Sequence, residues 1–241
     1  LLACPECQTS FILTGKSPLG RYADDWKRNA DEVFPLVRPE MNLADLPIPR
    51  LFFLYEDCYH TLLIGRYNAS IVLMGVLLEA LMKERIRLKL GIEFQHPYGP
   101  CLKKIEKERL MDAKDIQFLR TFKDKIRNPY QHADEYKILQ GCFAKVWPFK
   151  IEGELTFEKI EQFMKDVTAG KLKPKLLPAA DIPSIRSVVK QSFDRVRAIE
   201  LFNQIFDFLI EANARYFKQE EYDEHHKKFR TSLENIEYYR V

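Results

Sequence analysis

The sequence lacks the features that mark several protein classes. It contains no run of about 18 or more apolar residues, and the closest stretch, residues 69–82, is interrupted by Glu79. We therefore expect no transmembrane helix, and no secretory signal is recognisable. Cysteine is scarce, and five cysteines, an odd number, argue against a disulfide framework and for a reducing compartment. We expect a cytoplasmic protein.

The chain also has only a small net charge and few glycines. The net charge of +3 excludes a global nucleic-acid-binding surface, so any contact with RNA would come from a local patch. Only nine glycines are present, which indicates few tight turns and favours a helical protein. The hydrophobic content of 46 % is enough for a sizeable core.

Apolar residues recur at the spacing of amphipathic helices over most of the chain. The pattern predicts helices over residues 50–67, 68–90 and 112–139. The first half of the second helix is apolar on nearly every side, which is typical of the central helix of a bundle. Its second half, residues 83–89, is basic and is expected to reach solvent. Gly91 is well suited to end it.

The remaining segments predict one small β element and a long C-terminal helix. Apolar and polar residues alternate around Gly153, which indicates a β-hairpin over residues 147–157. Ser184 is placed to cap an amphipathic helix that ends near Phe217, and a charged helix follows over 219–241. The predicted fold is all-α, with a small β-hairpin and an added C-terminal helical region. The expected organisation is an arm (1–20), a helical and proline-rich connector (21–49), a helical domain (50–146), a hairpin and linker (147–183) and C-terminal helices (184–241).

Two cysteines near the start of the chain have the spacing of a zinc-binding turn. Cys4 and Cys7 supply half of the four ligands of a structural zinc site. No second Cys-x-x-Cys pair follows, so the other ligands would come from upstream residues or from another chain. The alternative is a pair of free thiols. We expect a half site for structural zinc at Cys4 and Cys7.

The residues with the clearest chemistry are Arg127-Asn128-Pro129-Tyr130-Gln131-His132, at the end of an amphipathic segment. An arginine holds a phosphate through its planar fork, and a histidine transfers protons near neutral pH. Together they could cleave RNA without a metal ion. No acidic cluster for Mg²⁺ accompanies them, so we expect no cofactor for catalysis.

The spacing of this motif raises a geometric problem. On an unbroken helix, Arg127 and His132 would point about 140° apart, whereas Asn128 and His132 lie one turn apart on one side. One solution is a kink at Pro129 that turns Arg127 towards His132, with Asn128 capping the restarted helix. The other is a two-fold axis across which two copies of the motif complete each other's sites. The second solution predicts a homodimer with residues 127–132 near the axis.

The motif and its setting resemble the HEPN superfamily. The likeness lies in Arg-Asn at the end of a helix, a histidine five residues after the arginine, and a preceding two-helix core that contains residues 69–81. It covers about residues 50–140. HEPN domains are small and all-helical, and many are metal-independent endoribonucleases. An N-terminal Cys-x-x-Cys knuckle before such a domain is similar to one bacterial branch of the group.

The resemblance implies a role for each residue of the motif. Arg127 matches the arginine that holds the scissile phosphate. His132 matches the histidine that assists attack of the 2′-hydroxyl, and Asn128 matches the polar residue often found after the arginine. The implied activity is cleavage of RNA to a 2′,3′-cyclic phosphate and a 5′-hydroxyl, by a defence or stress effector.

One position departs from the toxin-type members of the superfamily. Those members carry a tyrosine two residues beyond the histidine, where a nucleotidyltransferase antitoxin modifies it. Asp134 occupies that position here. The departure weakens the link to that antitoxin and says little about cleavage. The expected partners are therefore an RNA substrate, a second copy of the chain, and a partner protein or antitoxin.

A second interpretation stays open from the sequence. The motif could be an ordinary helix end, with Arg127 paired to Asp124 or Asp134 and His132 on the surface. The domain would then be a non-catalytic module for dimerisation, or for partner or nucleotide binding, in a defence or regulatory complex. Glu79 lies in an apolar stretch and needs a partner, which is either Arg127 or a basic residue of a neighbouring helix.

Overall fold

The structure is a computed structural model that describes residues 2–3, 10–11, 18–42, 45–147, 149 and 153–217. Cys4, Cys7 and the helix predicted over 219–241 lie outside these residues, so the zinc half site stays a prediction. Near the N-terminus, strand β1 (Leu2–Ala3) pairs antiparallel with strand β2 (Ser10–Phe11).

The described part of the chain is predominantly helical, which confirms the predicted all-α fold. Short 3₁₀ turns lie at Phe34–Leu36 and Ala179–Asp181, and a π-helical turn spans Lys123–Arg127. Among the residues described, no helix combines the length and the apolar composition that crossing a bilayer requires. The α-helices are α1 (Pro18–Val33), α2 (Pro49–Leu63), α3 (Tyr67–Leu90), α4 (Tyr98–Lys107), α5 (Ala113–Phe122), α6 (Asn128–Gln131), α7 (Glu135–Ile138), α8 (Phe157–Thr168) and α9 (Pro183–Tyr216).

The predicted helix ends agree well with the structure for α3, but less well for the segment that follows α4. Gly91 ends α3 in the left-handed conformation, with φ of 67°, as predicted. The helical segment predicted over 112–139 is interrupted after Gln131 rather than at Pro129. Helix α5, the π turn and α6 follow one another without a gap to Gln131, and α7 is set apart by Ala133, whose φ is 50°.

Helix α3 is the centre of the bundle. Helices α2 and α9 pack along it, and α4 and the π turn contact it as well. Leu77, Leu78 and Leu81 are fully buried, as the apolar pattern on nearly every side of the helix predicts. Burying one such leucine contributes about 1.5–3 kcal/mol, so the contacts of α3 supply much of the stability of the fold.

The prediction that the second half of α3 reaches solvent is wrong at Arg85, which is buried. Its Nε donates to Leu110 O at 2.8 Å and its Nη1 donates to Tyr216 O at 2.7 Å. The guanidinium also lies 5.0 Å from the centre of the Tyr216 ring. A buried guanidinium is stable where backbone carbonyls accept its hydrogen bonds, and here those carbonyls come from distant parts of the chain.

The predicted C-terminal helix packs in the same core as the helices before it. Its first residue is Pro183 and its N-cap is Ile182, so the predicted cap at Ser184 is wrong. Proline is favoured in the first turn because its missing N–H has no partner there in any case. Val188 and Val196 fit the apolar spacing of the helix but are exposed. The buried side of α9 is formed by Ala198, Leu201, Phe202, Ile205, Phe208, Leu209 and Ala212.

The small β element lies elsewhere than predicted. Strand β3 (Phe143–Val146) pairs antiparallel with strand β4 (Lys175–Pro178), and Phe143 is opposite Pro178. The prediction of a hairpin over 147–157 is wrong. The described residues of this segment form no strand, and its last residue already begins α8. The Thr156 hydroxyl accepts the Lys159 N–H and so starts a helix where the alternation indicated a strand.

Candidate functional site

Arg127 is held by an ion pair with Glu79 of α3. Its Nη2 donates to Glu79 Oε2 at 3.1 Å, and only 15 % and 18 % of the two side chains are exposed. Glu79 lies on α3, one turn after Gly75. A Cβ atom at Gly75 would lie 3.3 Å from Arg127 Cγ, so this glycine leaves the space in which the arginine stem crosses α3.

The Glu79 carboxylate has two further partners. It accepts the backbone N–H of Tyr98 at 2.8 Å and pairs with Lys83 Nζ, also at 2.8 Å. The Tyr98 ring lies against the guanidinium of Arg127, with 5.1 Å between the guanidinium carbon and the ring centre. Tyr98 is fixed in turn, because its hydroxyl donates to Leu119 O at 3.0 Å. The carboxylate therefore pairs with Arg127 and with a lysine of its own helix.

This cluster carries a net positive charge, since Lys83 and Arg127 share the single carboxylate of Glu79. A guanidinium has five N–H donors in a planar fork. Within the described part of the chain, Arg127 Nε and Nη1 make no hydrogen bond, and neither is among the buried polar atoms that lack a partner. These two nitrogens therefore keep N–H donors that the fold does not use, the kind of donor that binds an anion such as a phosphate.

Cys101 lies close to the same cluster but is not suited to act as a nucleophile. Burial raises the pKa of its thiol to about 11, and the opposing effect of the Lys83 charge is smaller. The Sγ atom donates to His96 O at 3.1 Å. The thiol is thus protonated at neutral pH, whereas the reactive form of cysteine is the thiolate. Cys101 therefore does not supply a nucleophile for chemistry at Arg127.

The π turn immediately before Asn128 accommodates Pro129. The proline has no N–H and its ring would clash with the carbonyl four residues earlier in a regular α-helix. In the structure Asn128 N–H donates to Lys123 O, a bond that spans five residues and widens the helix at Arg127. Asn128 itself has helical angles and is the first residue of α6, so the prediction that it caps a restarted helix is wrong.

His132 is exposed at the end of α6. Its backbone N–H donates to Asn128 O at 3.1 Å, which continues the helical turn. Within the described part of the chain its imidazole makes no hydrogen bond. Asp134 is its acidic neighbour, but that carboxylate is engaged by Lys137, whose hydrogen bonds are the main reason why the pKa of Asp134 lies below its usual value.

Within the described residues, Arg127 and His132 make no hydrogen bond to each other. The backbone from Asn128 to His132 keeps its helical hydrogen bond at Pro129, and side chains five residues apart on a helix are expected to point about 140° apart. The expected pairing of Arg127 with Asp124 or Asp134 is also wrong. Asp124 pairs with Lys123 and Asp134 pairs with Lys137.

Tyr130, which the sequence did not single out, fixes the middle of the motif to α9. Its hydroxyl donates to Asp194 Oδ1 at 2.6 Å, and Asp194 is buried. Lys190 pairs with the same carboxylate and lies 5.1 Å from the centre of the Tyr130 ring. No local pattern could show this contact, because its partner lies 64 residues further along the chain.

Among the described residues, no three His, Cys, Asp or Glu side chains are grouped so that they could hold a metal ion. Cys4 and Cys7 lie outside those residues. No protein-family model matches the chain, and neither a curated protein nor a solved structure matches it. The arrangement around Arg127 and His132 is therefore interpreted from its own geometry.

Proposed function

We propose that this chain is a metal-independent endoribonuclease that acts as a homodimer. The observation that carries the proposal is the fixed guanidinium of Arg127, which rests on Glu79 and Tyr98 and keeps unused N–H donors. A planar fork held in one direction is suited to the two oxygens of a phosphodiester. The resemblance to HEPN domains supplies RNA as the substrate and a defence or stress role in the cytoplasm.

The proposed reaction uses two groups of the chain. The imidazole of His132 takes the proton of the ribose 2′-hydroxyl as the 2′-oxygen attacks the adjacent phosphorus. Arg127 stabilises the negative charge that develops on the phosphorane oxygens. The bond from phosphorus to the 5′-oxygen then breaks, that oxygen takes a proton from water, and the hydroxide so formed takes the proton from the His132 imidazolium. The products are a 2′,3′-cyclic phosphate and a 5′-hydroxyl.

The homodimer follows from the divergence of the two side chains. Because the backbone from Asn128 to His132 is helical, we expect one chain to present its phosphate-binding group and its proton acceptor in different directions. A two-fold axis beside residues 127–132 would place His132 of one copy near Arg127 of the other. We expect a dimer by light scattering at tens of micromolar. A monomer under these conditions would contradict this part of the proposal.

The test is incubation of the purified chain with total RNA in EDTA. Wild type should cut, and His132→Ala should lower the rate by about 10²–10⁴, the usual size of a general acid–base contribution. His60→Ala is the matched control, since His60 is also an exposed histidine but lies on α2. DNA should survive, because it lacks the 2′-hydroxyl.

Two further variants separate phosphate binding from positioning. Arg127→Lys should be severely impaired, because an ammonium cannot reproduce the planar fork. Asn128→Ala should have a milder effect, since Asn128 touches the motif mainly through its backbone carbonyl. Undiminished cutting by the Arg127→Ala/His132→Ala double variant would remove this motif from the reaction.

The second candidate is a non-catalytic module for dimerisation, or for partner or nucleotide binding. The observation that favours it is the same ion pair, since Arg127 connects the π turn to α3 whether or not a phosphate binds. Under this alternative, His132→Ala and Arg127→Lys leave RNA intact as wild type does. A dimer that never cuts RNA in the assay above would select it.

A further inference from the structure

Tyr136 is an exposed aromatic ring that the fold holds in place. It lies on α7, and 58 % of its surface is exposed. The guanidinium of Arg186 covers one side, 4.8 Å from the ring centre, and its Nη2 donates to the Tyr136 hydroxyl at 3.2 Å. With a cation on one side and most of the ring exposed, the other side is open to solvent.

Arg186 is itself held by contacts that favour this stack. Its Nη1 lies 3.6 Å from Glu135 Oε2. Its Nε is buried and has no hydrogen-bond partner among the described residues. A buried donor without a partner is unfavourable, so the orientation of the guanidinium is set by Tyr136 and Glu135 rather than by its own best hydrogen bonding.

The residue next to Tyr136 in sequence, Glu135, lines a groove of about 370 Å³. The other charged residues of its lining are Arg66, Lys190 and Asp194, and the last two form an ion pair. Tyr136 follows His132 by four residues, so their Cα atoms are at most about 14 Å apart. That distance corresponds to a few nucleotides of an extended strand, which places the ring beside the proposed cleavage site.

We infer that Tyr136 is a stacking platform for a base of single-stranded RNA that flanks the scissile phosphate. The inference rests on the proposed function, because the site beside it is the Arg127/His132 motif. A nucleobase stacks on the open side of the ring, and Arg186 supports the other side. Another exposed aromatic ring, Phe53, differs, because it contacts Phe52 and within the described residues no cation lies over it. Stacking recognises any base, so Tyr136 is a positioning group rather than a reader of sequence.

The test measures binding without cleavage. A fluorescein-labelled 2′-O-methyl RNA lacks the free 2′-hydroxyl and stays intact, so its dissociation constant can be read by anisotropy. Tyr136→Ala should weaken binding by about 5- to 150-fold, and Tyr136→Trp should restore it. Phe53→Ala is the matched control, since 59 % of Phe53 is exposed on α2, and it should bind as wild type does.

An abasic position moved along the oligonucleotide identifies the stacked base. At one position it should weaken binding to wild type by about the same factor as Tyr136→Ala, and should add nothing in the Tyr136→Ala variant. Equal loss in both proteins at every position, unchanged binding by Tyr136→Ala, or no binding by wild type would overturn the inference. Binding with this pattern but without cutting of unmodified RNA would instead overturn the endoribonuclease proposal and leave the platform in place.

Discussion

Arg127 and His132 belong to one short motif but have opposite environments. Arg127 is largely buried. It contacts Glu79 and Tyr98, and its stem occupies the space left by Gly75. His132 is exposed, and its side chain makes no hydrogen bond within the described part of the chain. The core therefore fixes the phosphate-binding half of the proposed site, whereas the proton-transferring half depends on a helix end and on whatever binds there.

The difference teaches how such a site can be divided between two chains. A side chain that the core already orients loses little conformational freedom when a phosphate binds, so the entropic cost of binding is small. An exposed imidazole gains its orientation only from the substrate or from a second copy. The predictions below test each half separately, from the largest expected effect to the smallest.

The Arg127 half should be sensitive to Glu79. Glu79→Ala leaves the Arg127 and Lys83 charges without their carboxylate and the Tyr98 N–H without its acceptor. We expect the free energy of unfolding to fall by about 3 kcal/mol in urea denaturation, because breaking a mostly buried ion pair leaves an uncompensated charge. Binding of 2′-O-methyl RNA should weaken as well, since the guanidinium loses its support.

The matched control for that variant is Glu161→Ala on α8, which breaks the exposed pair of Glu161 with Lys165. Its effect should be within about 0.5 kcal/mol, the usual range for an exposed pair on one helix. If Glu79→Ala and Glu161→Ala lowered the free energy of unfolding by similar amounts, the ion pair of Arg127 would contribute no more to stability than an exposed pair does.

Tyr130 lies between Arg127 and His132 in the motif. Its substitution should have the next largest effect on stability. Tyr130→Phe removes the hydroxyl that donates to Asp194, a buried carboxylate left with Lys190 as its partner. We expect a loss of about 2 kcal/mol in the free energy of unfolding, because the bond is made to a charged group. Tyr59→Phe is the control, since Tyr59 is buried but its hydroxyl makes no hydrogen bond among the described residues, and it should change stability by less than about 0.5 kcal/mol.

The sequence predicted the parts of this structure that depend on local patterns. The central position of α3 and its end at Gly91 follow from apolar spacing and from the turn that glycine permits. The need of Glu79 for a partner followed from its apolar surroundings. The chemistry of Arg127 and His132 was visible in their residue types, although their function stays a proposal.

The parts that the sequence did not predict depend on contacts between distant residues. Tyr98 and Asp194 support the motif from α4 and α9, and no periodicity within α5 or α6 points to them. Arg85 appeared solvated from its basic neighbours but is buried because two distant carbonyls accept its hydrogen bonds. Strand β3 pairs across a whole helix with β4, which the alternation near Gly153 could not show.

Alkaline pH should weaken the Arg127 half through Tyr98. Burial raises the pKa of the Tyr98 hydroxyl far above its usual value of 10.0, although the charge of Arg127 opposes this rise. Below about pH 10 the folded and unfolded tyrosine are both protonated; above it only the unfolded chain loses the proton, so stability falls as pH rises. Between about pH 10 and pH 11, wild type should lose about 1 kcal/mol more than Tyr98→Phe in urea denaturation. Parallel curves for the two proteins would contradict the assignment.

The His132 half should respond to a local change at the helix end. Ala133 has φ of 50° and makes the hydrogen bonds of a Schellman ending, with its N–H on Tyr130 O and the next N–H on Pro129 O. Glycine adopts this conformation without the steric penalty of a Cβ atom, so Ala133→Gly should stabilise the fold by about 0.5–1 kcal/mol. Ala169→Gly is the control, because Ala169 ends α8 with an ordinary φ of −75° and should lose about 0.5 kcal/mol. If Ala133→Gly instead destabilised the chain in thermal and urea unfolding, the position of His132 would depend on contacts beyond this turn, and the contrast with Arg127 would weaken.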